Sequence, residues 1–150
     1  MEQNNDDGTG LFGCRPILRV DSVPRSIEYY VHSLGFHLGW CWSDAEKRFL
    51  QPGDTTPPTF ALVGLGQVQF MLSQNSQGAP GVWLHLDVHT APQVDALFEA
   101  WRRNGARIVE PPSLRLWGMY ELRVQDLDGH IFRVSSPPPQ KTTATGGLPS

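Results

Sequence analysis

The side chains best suited to chemistry are polar residues set on alternating positions among apolar ones. Arg15 and Arg19 share one parity in residues 15–20, as do Trp83, His85 and Asp87 in 82–88. Glu121 and Arg123, then Arg133, share a parity on the two halves of 117–134. Alternation turns every second strand residue to one face, so these groups can line one wall. Guanidinium groups offer planar, forked donors to a carboxylate or a similar acceptor, and Trp83 and Trp117 offer flat area for stacking. His85 is the histidine best placed for function; its plainer role is a hydrogen bond to a neighbouring carboxylate such as Glu121. The arginines admit two accounts: an internal ion-pair network with Asp87 and Glu121, or a residual positive field for an anionic group. No Ser/His/Asp or Cys/His spacing supports a nucleophile, and there is no glycine-rich phosphate loop. Asp126 and Asp128 lie beside Gly129 and read as turn formers, so no catalytic residue is assigned.

The elements that position these residues follow from periodicity. Residues 117–134 (WGMYELRVQDLDGHIFRV) form a β-hairpin, with strands 119–125 and 130–135 joined by Asp126, Leu127, Asp128 and Gly129. Its Leu122, Val124, Phe132 and Val134 supply an apolar face for a helix. Residues 15–20 read as a strand. Asp21 or Ser22 caps a helix with Ile27, Tyr30, Val31 and Leu34 on its stripe, ended by Gly35. Strands follow at 36–42, 59–65 and 67–74, with a loop or irregular hairpin connection over 44–58, so the first half reads βαβββ. After the connector 75–80 the order repeats: strand 82–88, a helix striped by Val94, Leu97, Phe98 and Trp101, a short strand 106–109, a loop 111–116, and the hairpin. An offset of 68 residues sets Val20 on Val88 and Leu18 on Leu86. The fold class is α+β, two βαβββ modules (13–74 and 81–136) forming curved mixed sheets around a cleft. They make one domain, 13–136, between mobile polar tails at 1–12 and 137–150.

Composition excludes several function classes. The formal net charge is -3, from 15 acidic and 12 basic side chains, which gives no footprint for nucleic acid and no polybasic membrane anchor. There is no long apolar run, and the acidic start MEQNNDDGTG lacks the pattern of a signal peptide, so a cytoplasmic protein is expected. Cys14 and Cys41 lack ligand spacing and read as reduced thiols. His32, His37, His89 and His130 read as solvated, and Trp40, Trp42 and Trp101 as cover for helices or a dimer seam.

The duplicated unit, with PILRVDSVPRSIEYYVHSLGF in its first copy and WGMYELRVQDLDGHIFRV in its second, resembles the vicinal-oxygen-chelate superfamily, the glyoxalase, bleomycin-resistance and extradiol-dioxygenase group. The likeness covers about residues 15–136. It implies four metal-ligand positions, which fall here on Arg15, Met71, Trp83 and Arg133. Two guanidinium groups, a thioether and an indole do not suit a divalent metal, so neither metal nor other cofactor is expected. The pattern is then most similar to the bleomycin-resistance branch, which implies a metal-free binding and sequestering protein with a role in drug or toxin resistance. It also implies a homodimer with clefts at the subunit interface. The ligand expected is a flat aromatic or conjugated molecule with an anionic or strongly accepting group, held by Trp83, Trp117, the arginines and Met71 as an apolar floor. The competing reading is a lyase, isomerase or dioxygenase of the same superfamily with displaced ligands, for which His85 and Glu121 are the available metal pair.

Overall fold

The computed structural model describes residues 7–140. The tail assignments over 1–6 and 141–150 therefore lie outside the described residues.

In the first module, β1 (Ile17–Val20) alternates half-buried and buried residues and leads into α1 (Val23–Glu28). Ser22 caps that helix by accepting the backbone N–H of Arg25, and Pro24 occupies its first turn, where no N–H is missed. The helix continues as a π-helical turn (Tyr29–Ser33). Next come β2 (His37–Ser43), a two-residue β3 (Arg48–Phe49), β4 (Phe60–Leu65) and β5 (Val68–Gln74). The second module is β6 (Trp83–Asp87), α2 (Ala91–Arg103), β7 (Arg107–Leu114), β8 (Tyr120–Gln125) and β9 (Ile131–Ser136). The sheets have the orders β1-β5-β4-β2-β3 and β6-β9-β8-β7. In each, the first strand runs parallel to the last, and the others pair antiparallel. This is the duplicated βαβββ order, with β3 added in the long 44–58 connection.

One strand departs from the sequence reading. The short strand and loop expected over 106–116 are a single strand, β7, that runs through Pro111 and Pro112 to Leu114. Two register shifts against β8, between Ile108 and Glu110 and between Glu110 and Ser113, break the period-two pattern that would have revealed it. The prolines are tolerated because β7 is an edge strand.

The two modules share one core. Tyr30 sits at its centre with ring centroids 5.2 Å from Phe36, 6.4 Å from Phe70 and 6.2 Å from Phe132. Phe70 of β5 stacks on Phe132 of β9 at 5.2 Å, so the apolar faces of the two sheets look towards each other. Polar contacts fix the join. The Tyr30 hydroxyl donates to Asp126 (2.8 Å), Tyr29 donates to the Gln125 carbonyl (2.6 Å), and the Trp101 indole donates to the Leu34 carbonyl (2.8 Å). His130, read from sequence as solvated, is fully buried. Its Nδ1 accepts the Val82 N–H at 3.0 Å and its Nε2 lies 2.7 Å from the Arg19 carbonyl, so the ring joins β1, the connector and the β8–β9 turn. In that turn Asp126 Oδ1 accepts the N–H groups of Asp128 and His130, and Asp128 reaches across to the N–H of Asp21. The two aspartates are turn formers, as expected, and also part of the staple between modules. Burial pushes the Asp126 carboxyl up, against the opposing pull of His130 and the Tyr30 hydrogen bond.

The connector is knitted to the free edge of β1. The Asn75 N–H ends the β1–β5 ladder by bonding the Val20 carbonyl at 2.9 Å, and on the other side of β1 Gly78, with φ +87°, passes so close that a Cβ there would stand 2.6 Å from the Ile17 carbonyl oxygen. No helix among the described residues is long and apolar enough to cross a membrane.

Candidate ligand-binding site

Strand alternation that sends Leu122, Val124, Phe132 and Val134 into the core sends Glu121, Arg123, Arg133 and Ser135 to the outer face of the second sheet. There the register sets Arg123 directly opposite Arg133, and Glu121 opposite Ser135. Like charges facing each other across strands repel, so this pair requires a carboxylate nearby. Glu121 provides it. One of its oxygens accepts Nε and Nη2 of Arg133 (3.1 and 2.9 Å) and the Ser135 hydroxyl (2.7 Å), and the other accepts Arg123 Nε (3.0 Å).

Glu121 has no exposed surface. Burial alone would raise its pKa, but the hydrogen bonds from Arg133, Ser135 and Arg123 outweigh that and bring it down to about 2. Two further residues extend the lattice. Glu110 pairs with Arg123 at 3.4 Å and with Arg115, whose Nε lies 3.6 Å from Glu121. Arg115 Nε and Nη2 are buried with no hydrogen-bond acceptor. Three guanidinium groups thus share two carboxylates, which leaves one formal positive charge.

Two indoles cover this lattice. Trp83 lies over the Arg123 guanidinium and Trp117 over that of Arg133, each at 5.5 Å, and both rings remain more than half exposed. Trp117 is held there by the turn in which the Gly118 N–H bonds the Arg115 carbonyl (2.9 Å) and the Arg115 N–H bonds the Met119 carbonyl (2.8 Å). The guanidinium edges are committed to carboxylates and their faces to indoles, so the arrangement is a rigid, flat, cationic plate.

The structure divides the residues expected to line one cleft. Trp83, Trp117, Glu121, Arg123 and Arg133 come together on the second sheet, and His85 lies beside them. Arg19 and Met71 belong to the first sheet, and Arg15 lies two residues before β1. There Arg15 donates to Gln69 (2.6 Å), Arg19 donates to the Asn75 carbonyl (3.0 Å), and Met71 pairs with Ile17 and Leu62. Both outer faces point away from the shared core, and among the described residues no hydrogen bond or ion pair joins the two groups. Glu110 escaped the sequence reading because the irregular register of β7 hides its parity, and Arg115 because it lies past the end of that strand, in the turn to β8.

A divalent metal does not fit this chemistry. The superfamily's four positions carry two guanidinium groups, a thioether and an indole, which give no donor set for one. The displaced pair is not assembled either. Both Glu121 oxygens are held by arginines, and His85 Nε2 faces Asp87 at 3.5 Å instead. Among the described residues no three His, Cys, Asp or Glu side chains converge.

Residues 14–134 match the model of the Glyoxalase/Bleomycin resistance protein/Dioxygenase superfamily. The chain belongs to that superfamily. No curated protein matches it significantly in sequence. Among solved structures it resembles TioX from Micromonospora sp. ML1, at 21% identity and TM-score 0.63 over 83% of this chain and 99% of that one. A superfamily domain from Frankia sp. EAN1pec aligns at 21% identity and TM-score 0.62, covering 85% of this chain and 93% of that one. The bleomycin-binding protein of Streptomyces verticillus, solved with copper(II)-bleomycin, aligns at 21% identity and TM-score 0.60 over 84% of this chain and 96% of that one. At these identities the likeness establishes the fold, and the site must supply the function.

Proposed function

We propose that the protein is a metal-free small-molecule binding and sequestering protein whose ligand rests on the outer face of the second sheet. The observation that carries this reading is the pair of half-open indoles, Trp83 and Trp117, laid over a buried lattice with one excess positive charge. Such a plate stacks a flat aromatic or conjugated molecule and favours one with an anionic or strongly accepting group. The superfamily's bleomycin-binding member supports small-ligand binding as a class. It does not carry its ligand across, since a cationic drug would meet the wrong sign here.

A homodimer completes the reading. The outer face of the first sheet is aromatic, with Trp40 stacked on Phe60 at 5.9 Å and Phe49 against both Trp40 and Trp42. Phe49 and Leu38 of the first sheet, and Leu114 and Leu116 at the end of β7, are exposed besides the two tryptophans, apolar surface that a second copy could cover. A second copy placed against these faces would bring Arg15, Arg19 and Met71 to the plate and enclose a cleft.

The test is a tryptophan-fluorescence titration with anionic, neutral and cationic aromatic ligands, alongside sedimentation at micromolar concentration. Anionic ligands should bind best. Trp117→Ala and Trp83→Ala should each weaken them by about 1.4–2.8 kcal/mol, roughly tenfold to a hundredfold. Preference for cations, or indifference to both substitutions, would remove the reading, and a monomer would remove the enclosed cleft.

A further inference from the structure

The strands that carry the plate have a second face, and it opens into a different cavity. Trp83, His85 and Asp87 of β6 point outward, so Leu84 and Leu86 point inward; on β9, Phe132 and Val134 are the inward partners of Arg133. Between these inward residues, the β4–β5 turn and α2 lies a crevice of about 460 Å³. Its walls include Phe36, Val68, Leu86, Leu97, Trp101 and Val134. Phe36 and Trp101 are each 3% exposed, so the crevice reaches into the core rather than lying across the surface. Protein interiors are close-packed, with few voids larger than a water molecule, and a space of this size falls in the range of small-molecule sites. The inner wall holds no charged side chain. Polar groups gather at the mouth, where Gln67 and His89 stand beside the end of β6 at Asp87.

We propose that this crevice is a second ligand site, taking a small uncharged apolar molecule, a fused aromatic or a short hydrocarbon chain, with any polar end directed to Gln67 and His89. Charge is excluded because a buried ion would have no partner among these walls. Binding exchanges water on apolar surface for dispersion contacts with aromatic and aliphatic side chains. The site is independent of the plate, because the sheet itself separates them.

The experiment separates a small ligand from two other occupants, the chain's own N-terminal arm and a second copy. Leu11 and Phe12, on the segment before β1, are 87% and 97% exposed, and with Gln67 they line a neighbouring hollow. The probe is N-phenyl-1-naphthylamine, which is neutral and fluoresces in apolar surroundings, titrated into the full chain at several protein concentrations. Saturable binding is expected, weakened about tenfold or more by the cavity-filling variants Leu97→Trp and Val68→Phe and unchanged by Trp117→Ala. Two filling variants on different elements keep the test open if one fails to fold. The proposal falls if the probe does not saturate, or if Trp117→Ala abolishes binding while both filling variants keep it. Tighter binding in the Leu11→Ser/Phe12→Ser variant would give the crevice to the chain's own arm. Affinity that drops as protein concentration rises would give it to a second copy. Either outcome overturns the ligand site.

Discussion

The two modules place the same backbone positions under opposite chemistry. In the first sheet Ile17 pairs with Met71, Met71 with Leu62, and Leu62 with Trp40, while Phe60 faces Ser73. The corresponding pairs in the second sheet are His85 with Arg133, Arg133 with Arg123, and Arg123 with Glu110, while Glu121 faces Ser135. Register for register, Leu62 and Met71 become two arginines and Phe60 becomes a glutamate. An apolar patch could therefore occupy the second module without altering its strands. The charged lattice is not required by the fold, and a buried ion network is weak evidence for stability in its own right. Its place on the open face, under two indoles, is what the proposed binding role calls for.

The largest effect expected from breaking this contrast is in Glu121→Gln. The substitution leaves Arg123 facing Arg133 without the carboxylate between them, and should lower unfolding free energy by about 3–5 kcal/mol in denaturant melts. A loss below about 1 kcal/mol would mean that Glu110 alone holds the arginines.

The second effect is the dependence on pH. The Glu121 carboxyl stands at about 2 in the fold against an ordinary 4.5. A depressed carboxylate contributes stability that is complete above its unfolded value and is lost as pH falls towards its folded one. About 3 kcal/mol should therefore disappear between roughly pH 5 and pH 2. Asp126, raised by burial, acts with the opposite sign and favours the fold as pH drops. Melts of Glu121→Gln across this range should be flat or slope the other way, and a wild-type acid slope that survives in the variant would place its origin elsewhere.

The smallest effect sharpens the comparison most. Writing the first module's residues into the second, as Glu121→Phe with Arg123→Leu and Arg133→Met, removes the lattice as a unit and leaves fewer unpaired charges. Stability should be unchanged or higher by about 1–4 kcal/mol, with anionic-ligand binding lost. A triple variant as unstable as Glu121→Gln would show that the lattice holds the sheet together.

The strands, helices and their repeated order were legible because each is a local pattern. Leu18 and Val20, Leu122 and Val124, and Phe132 and Val134 alternate as buried strand residues should. The parity of Glu121, Arg123 and Arg133 was legible for the same reason. What remained hidden is long-range or irregular. His130 resembles a turn residue until Val82 and Arg19, 48 and 111 residues away, close on its ring. Whether the arginines were paired could not be read either, because Glu110, which pairs with Arg123, sits where β7 loses its period, and Arg115, which shares the same carboxylates, lies just past its end. Nor does alternation reveal which sheet faces lie side by side, and that is why residues sharing one parity divide between two surfaces.

Gly78 has a consequence for how copies of this chain behave in a crowded solution. The strand beside it, β1, ends the first sheet, and an uncovered outer strand offers its peptide groups to any similar strand that drifts past. The connector lies over that border, and it can do so because a hydrogen is all that Gly78 carries towards the Ile17 carbonyl. A methyl group or anything larger would lift the connector away while leaving both modules intact. The cost would then appear as loss of soluble protein, through strand-to-strand stacking of otherwise folded chains.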